Sequence, residues 1–143
     1  KRCLVKLSGK RELKRLQHWQ QIVISACEQC GRNRVPEVSS PVILSSWLSR
    51  QGAMQKELNN ESAEKLYFIL SPASKMGLHD FSKNLSATEL VLLVGPEGGF
   101  TSDEDAAALT VGFSSLRLGS RTLRTESAAL AAIAALQTVW GDY

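Results

Sequence analysis

Apolar residues in this chain fall into two kinds of run, and each kind predicts a different element. From Lys10 to about Cys30 they recur three or four apart, at Leu13, Leu16, Trp19, Val23, Ala26 and Cys27. That spacing marks one face of a helix, with Lys14, Arg15 and Gln21 outside it. Gly31 is a natural stop. Leu66–Leu70 and Leu90–Val94, by contrast, are short unbroken apolar runs, as expected of strands covered on both faces. The first ends at Ser71-Pro72 and the second at Gly95-Pro96.

Weaker signals fill in the rest. Val35-Pro36-Glu37-Val38 suggests a strand that proline keeps short or at an edge. A weak helix is expected from Ser45 to Arg50, with its continuation to Leu58 open, and a loop at 59–62. Residues 73–88 read as a long loop holding a helical turn. Thr101 and Glu104 form a T-x-x-E capping box that opens a helix running to about Val111. Phe113–Leu118 reads as another strand. Ser127–Trp140 is a helix of Ala, Leu, Ile and Val nearly all the way round, so burial is expected, either in a central packing or at a dimer interface. Strands alternating with helices make the fold class α/β with a mainly parallel sheet. The length, 143 residues, suits a single domain.

Two strand–loop–helix units stand out, 92–104 and 116–128. Their polar, glycine-bearing loops should emerge at the same sheet edge, where open α/β sheets bind ligands. The segment Gly95-Pro96-Glu97-Gly98-Gly99 lets backbone groups approach a ligand closely, although such glycines also punctuate ordinary loops. Neither loop is a G-x-G-x-x-G or a G-x-x-x-x-G-K-[ST], so standard dinucleotide and P-loop readings fail.

Composition adds little, since 43% hydrophobic and 22% charged residues are ordinary for a globular domain. No apolar run reaches the roughly 20 residues of a membrane span. No secretory leader pattern is present, so a cytoplasmic protein is the default expectation. Charge distribution matters more. Residues 1–34 hold nine Lys/Arg against two Asp/Glu, and the remainder eight against twelve, so a net of +7 faces one of −4. A basic end points to a polyanion, nucleic acid first, although Lys10–Arg15 also serve as the solvated side of a helix. Arg32 and Arg34, on a loop after the first helix, suit phosphate contacts as well as a solvated turn.

Cys27-Glu28-Gln29-Cys30 has C-x-x-C spacing. Zinc normally takes four ligands, and only Cys3 and His18 are at hand, so no metal is expected. A redox pair belongs at a helix N-terminus, whereas this one sits at a C-terminal end. Reduced thiols are the reading. His79 has no evident partner and is expected at the surface.

Three segments in order carry a family resemblance: Ala-Cys-Glu-Gln-Cys-Gly-Arg-Asn-Arg (26–34), Leu-Leu-Val-Gly-Pro-Glu-Gly-Gly-Phe (92–100) and Leu-Gly-Ser-Arg-Thr-Leu-Arg-Thr-Glu-Ser-Ala (118–128). They resemble the RsmE-type ribosomal RNA methyltransferases of the SPOUT superfamily, with Ser127 where threonine is more usual. The resemblance implies a deep C-terminal trefoil knot, a rare exception among folds. It also implies a homodimer, S-adenosylmethionine bound by the knot loops, and methylation of N3 of a uridine in small-subunit (16S) ribosomal RNA. Family members carry an N-terminal PUA-like domain and a further strand and helix, so 1–143 is expected to be one catalytic domain without them. Carried onto this chain, the cofactor residues are Leu93, Gly95, Glu97 and Gly98, then Leu118, Gly119, Leu123 and Arg124. Arg124 and Glu126 are the candidates for charge stabilisation and proton acceptance, and Arg32 and Arg34 for RNA contact. The alternatives are a non-catalytic RNA-binding module and a SPOUT methyltransferase acting on another RNA.

Overall fold

The computed structural model describes residues 9–58, 64–81 and 87–141. The chain separates into two compact units, which divide the described residues into 9–43 and 44–141.

The first unit is built on α1 (Lys10–Cys30), which ends where Gly31 turns left-handed at φ 73° and its N–H reaches the Cys27 carbonyl. Within α1 only Cys27 is buried; along the expected apolar face Leu16, Trp19 and Val23 are half-buried, while Leu13 and Ala26 are exposed. The segment 35–38 is not a strand. Its backbone is satisfied by a side chain instead: Gln20 Nε2 donates to the Pro36 carbonyl (3.0 Å) and Gln20 Oε1 accepts from the Val38 N–H (2.9 Å). With those groups spent on α1, and no N–H on Pro36, a ladder has little left to pair.

The second unit is a parallel three-stranded sheet in the order β2-β1-β3, where β1 is Glu64–Leu70, β2 Ala87–Leu93 and β3 Ser114–Leu116. Side chains alternate between its faces. On one face Tyr67 and Ile69, with Val91 and Leu93, pack against Leu48 of α2 (Leu44–Leu58), Ala108 of α3 (Ser102–Thr110) and Phe113. Phe113 is held edge-on to Tyr67, with ring centroids 5.3 Å apart. On the other face Phe68 and Leu116 pack with Leu136 of α4 (Thr125–Trp140), flanked by Phe81 and Trp140. Phe68, Ile69 and Leu116 are at most 1% exposed, and burying each contributes about 1.5–3 kcal/mol. Covering on both faces is why the strands read as unbroken apolar runs.

One expectation needs correction here. The strand expected over Phe113–Leu118 is only Ser114–Leu116. Beyond it the Arg117 N–H turns to the Met76 carbonyl (2.8 Å), and Gly77 pairs with Arg117. The segment 74–77 thus flanks β3 on the edge away from β1, and the Ser74 hydroxyl also donates to the Ser115 carbonyl (2.9 Å). Along α4 only one side is covered within the chain. Ala132 and Leu136 face the sheet, while Leu130 is 72% and Ile133 52% exposed. The weak helix at Ser45 does continue to Leu58. A 3₁₀ turn, Leu78–Asp80, supplies the helical turn expected between β1 and β2. The loop expected at 59–62 lies outside the described residues, and among the described residues the trefoil knot is not visible.

Candidate active site

Parallel pairing in near-matched register places the C-terminal ends of all three strands on one line, because Leu70 pairs with Leu116 and Ile69 with Leu93. Three chain segments therefore leave the same sheet edge, and between them lies a cavity of about 770 Å³. That lies within the roughly 300–1,000 Å³ typical of small-molecule sites.

One wall is the loop after β2. It is held by the Gly99 N–H, which donates to the Pro96 carbonyl (2.8 Å), with Gly99 itself left-handed at φ 67°. Gly95 packs under the Phe100 ring, where a Cβ would lie 3.1 Å from a ring carbon. The capping box closes the loop as expected: the Thr101 N–H donates to Glu104 Oε2 (2.8 Å) and the Glu104 N–H to Thr101 Oγ1 (3.3 Å). The following acid, Asp105, has one carboxylate oxygen shielded from solvent without a hydrogen-bond partner. Burial, and then the neighbouring Glu104 charge, push its pKa up.

The second wall is the loop after β3, which turns at Gly119 (φ 93°) and runs into α4. Arg124 occupies the N-cap without a capping side-chain bond, while its carbonyl accepts from the Ala128 N–H (2.7 Å). Glu126 sits in the first turn of α4, exposed and on the cavity lining, and Arg124 lines it too.

Most of the candidate residues meet here. Gly95, Glu97, Gly98, Leu118, Gly119 and Leu123 all line the cavity along with Arg124 and Glu126. Leu93 is placed elsewhere. In register with Ile69, it points to the opposite side of the strand from Leu92 and packs on the α2–α3 side of the sheet, and Val94 lines the cavity instead. Arg32 and Arg34 belong to the other unit, exposed in the irregular segment after α1, where Arg32 Nε donates to the Arg34 carbonyl (3.2 Å). Sequence reasoning missed the third wall, Leu70-Ser71-Pro72 at the end of β1, and the arginines at 117 and 121. The abrupt Ser71-Pro72 ending of the β1 run was the available signal.

Other candidate chemistry stays apart from the cavity. His79 is a surface residue 3.4 Å from the Asp80 carboxylate. Cys27 and Cys30 are free thiols, one buried and one exposed. Among the described residues no three His, Cys, Asp or Glu side chains group to hold a metal ion, and no helix is long and apolar enough to cross a membrane.

A family profile described as an RNA methyltransferase domain matches residues 1–137. The chain belongs to this RNA methyltransferase family. It is 38% identical over 125 residues to the ribosomal RNA small subunit methyltransferase E of Buchnera aphidicola (subsp. Schizaphis graminum), covering 87% of this chain and 46% of that one. The protein of the same name from Mycobacterium bovis is 33% identical over 141 residues, covering 94% and 49%. Among solved structures, ribosomal RNA small subunit methyltransferase E of Neisseria gonorrhoeae, bound to S-adenosyl methionine, superposes with a TM-score of 0.80. It shares 43% identity, over 100% of this chain and 53% of that one. A Legionella pneumophila structure in complex with bound SAM gives a TM-score of 0.80 at 38% identity, over 96% and 51%. The chain spans about half the length of the relatives it matches.

Proposed function

We propose that this chain forms the catalytic domain of an S-adenosylmethionine-dependent methyltransferase that modifies N3 of a uridine in small-subunit ribosomal RNA. The observation that carries this reading is the convergence of both glycine loops on one cavity at the sheet edge. The relatives' names and the cofactor bound in two similar structures support it.

The lining suits the cofactor. Gly95, Gly98 and Gly119 bring backbone donors and acceptors within reach of an adenine edge, while Leu118 and Leu123 offer apolar surface to its faces. Bound there, the cofactor supplies an activated methyl group on a sulfonium. The protein's part is orientation and proton handling. Walls on three sides fix the approach line, and positioning of that kind supplies much of the acceleration. A neutral uracil N3 has no available lone pair until its proton leaves. Glu126 is the acceptor in this reading, and the Arg124 guanidinium neutralises charge that develops on the uracil oxygens. Arg32 and Arg34 are assigned to RNA phosphates or bases, drawing on the small ribosomal subunit as partner.

A homodimer belongs to the same reading, supported by the uncovered apolar residues Leu130 and Ile133 on α4. The knot belongs to the same reading, on the family resemblance alone. A cytoplasmic site of action follows from a ribosomal substrate.

Calorimetric titration of S-adenosylmethionine into this chain without RNA tests the core of the proposal. Saturable binding near one site per chain is the expected result. A folded chain that takes up no heat would return the cavity to the RNA-binding reading.

A further inference from the structure

The charge of the cavity does not match the charge of the cofactor. Three arginines are among its lining residues, Arg117, Arg121 and Arg124, against two acids, Glu97 and Glu126. S-adenosylmethionine bears a sulfonium, an ammonium and one carboxylate, so it is itself a net cation. A single guanidinium suffices for its carboxylate, and like charge makes any further arginine unfavourable toward it. Arg124 already stands beside Glu126 at the start of α4. Arg117 and Arg121 are therefore left over. Both are exposed, and no ion pair involves either of them among the described residues.

Backbone support separates this pair from ordinary surface arginines. Arg117 follows directly on β3, and its N–H is fixed to the Met76 carbonyl at 2.8 Å, with Gly77 paired beside it. Arg121 follows two residues after the turn at Gly119. Both are exposed lining residues of the same cavity, four positions apart in the chain, so two guanidiniums are within side-chain reach of one opening. A planar guanidinium fork matches a phosphate in bidentate fashion. A base that reacts on its pairing edge must also be taken out of its stack, which leaves its flanking phosphates as the handles a protein can hold.

Resting on the methyltransferase reading above, we infer that Arg117 and Arg121 form a clamp for the RNA phosphodiester beside the nucleotide being methylated. The clamp fixes the backbone at the mouth of the cavity so that the base enters from a set position. It serves the RNA and not the cofactor.

The test measures binding of a short single-stranded oligouridylate by fluorescence anisotropy across a salt series. The proteins are the unaltered chain, the double variant Arg117→Gln with Arg121→Gln, and Arg50→Gln as a control on the exposed side of α2. For single strands, each phosphate charge that goes unneutralised lowers the magnitude of the log–log salt slope by about 0.7. The double variant is expected to show about one such decrement, with S-adenosylmethionine affinity by calorimetry held within about twofold because no cofactor charge is left unpaired. An unchanged slope overturns the clamp. An equal drop for Arg50→Gln does so too, since the effect would then be general charge. Collapse of cofactor affinity in the double variant reassigns these arginines to the cofactor. An unaltered chain that binds cofactor but no oligouridylate overturns the clamp alone, and one that binds neither overturns the methyltransferase reading with it.

Discussion

The loops after β2 and β3 face each other across the cavity, yet they are built on opposite plans. The β2 loop is mostly half-buried, underpinned by Phe100 against the α2–α3 core, and locked at its end by a two-way capping box. The β3 loop is mostly exposed, carries three arginines from 117 to 124, and enters α4 without a capping side chain. Arg124 holds the N-cap position that Thr101 holds in the other loop, and it makes no side-chain cap bond. Local stability has been given up there and a charged side chain placed at the cavity. The comparison teaches a division of labour under the proposed function: the braced β2 wall shapes the cavity, and the β3 wall holds the residues proposed for the chemistry.

The largest expected effect follows from the acids that open the two helices. Glu126→Gln should slow single-turnover methylation of small-subunit RNA by about 10²-fold or more, as loss of a general base does, with cofactor affinity retained. Asp103→Asn, an exposed acid in the first turn of α3, should leave the rate unchanged. Equal rates for Glu126→Gln and the unaltered chain would reassign Glu126 to structure, a role the helix dipole would also favour.

Next in size is the braced wall itself. Gly95→Val places a branched side chain where even a Cβ lies 3.1 Å from the Phe100 ring. Overpacking of that order costs about 1–3 kcal/mol of stability, so the variant should melt at a lower temperature, and calorimetry should show weaker cofactor binding as the loop shifts to make room. The two N-caps then divide in opposite senses. Thr101→Ala should cost about 1 kcal/mol of stability, seen as a melting temperature lower by about 3–5 °C, with modest loss of function. Arg124→Ala should barely move the melting temperature and should lower methylation. The reverse pattern would break the comparison.

How much of this was legible in the sequence follows the range of the signal. The capping box, the glycine stop of α1 and the apolar strand runs are written within a few residues, and they appear where expected. Leu93 is a different matter. Its side of the strand is set by pairing with β1, so only the register Ile69–Leu93 assigns it to the core and Val94 to the cavity. The β1 wall at Leu70–Pro72 depends on β1 lying between β2 and β3, an order that no local pattern encodes. The conformation of 35–38 turns on a single distant side chain, Gln20. Likewise the apolar stripe of α1 gave the helix but not the depth of its burial, because periodicity reports which face is apolar and not what covers it.

The smallest effect lies inside the braced wall, at Asp105. Its Oδ1 is shielded without a partner in the first turn of α3, and burial together with the Glu104 charge raises its pKa above the ordinary aspartate value. A carboxyl that holds its proton more tightly when folded favours the folded state at low pH. That contribution is complete below the unfolded value of about 3.9 and is lost as pH rises through the folded value. Asp105 is therefore a mild liability at neutral pH, offset in part by its favourable position at a helix N-terminus. Asp105→Asn removes the charge while keeping the shape, so it should raise the melting temperature slightly at pH 7 and leave it unchanged or lower near pH 3. Melting curves at the two pH values check the sign. A variant destabilised at pH 7 would mean that the carboxylate is stabilising the start of α3, and that the wall is tuned for the helix end more than for burial.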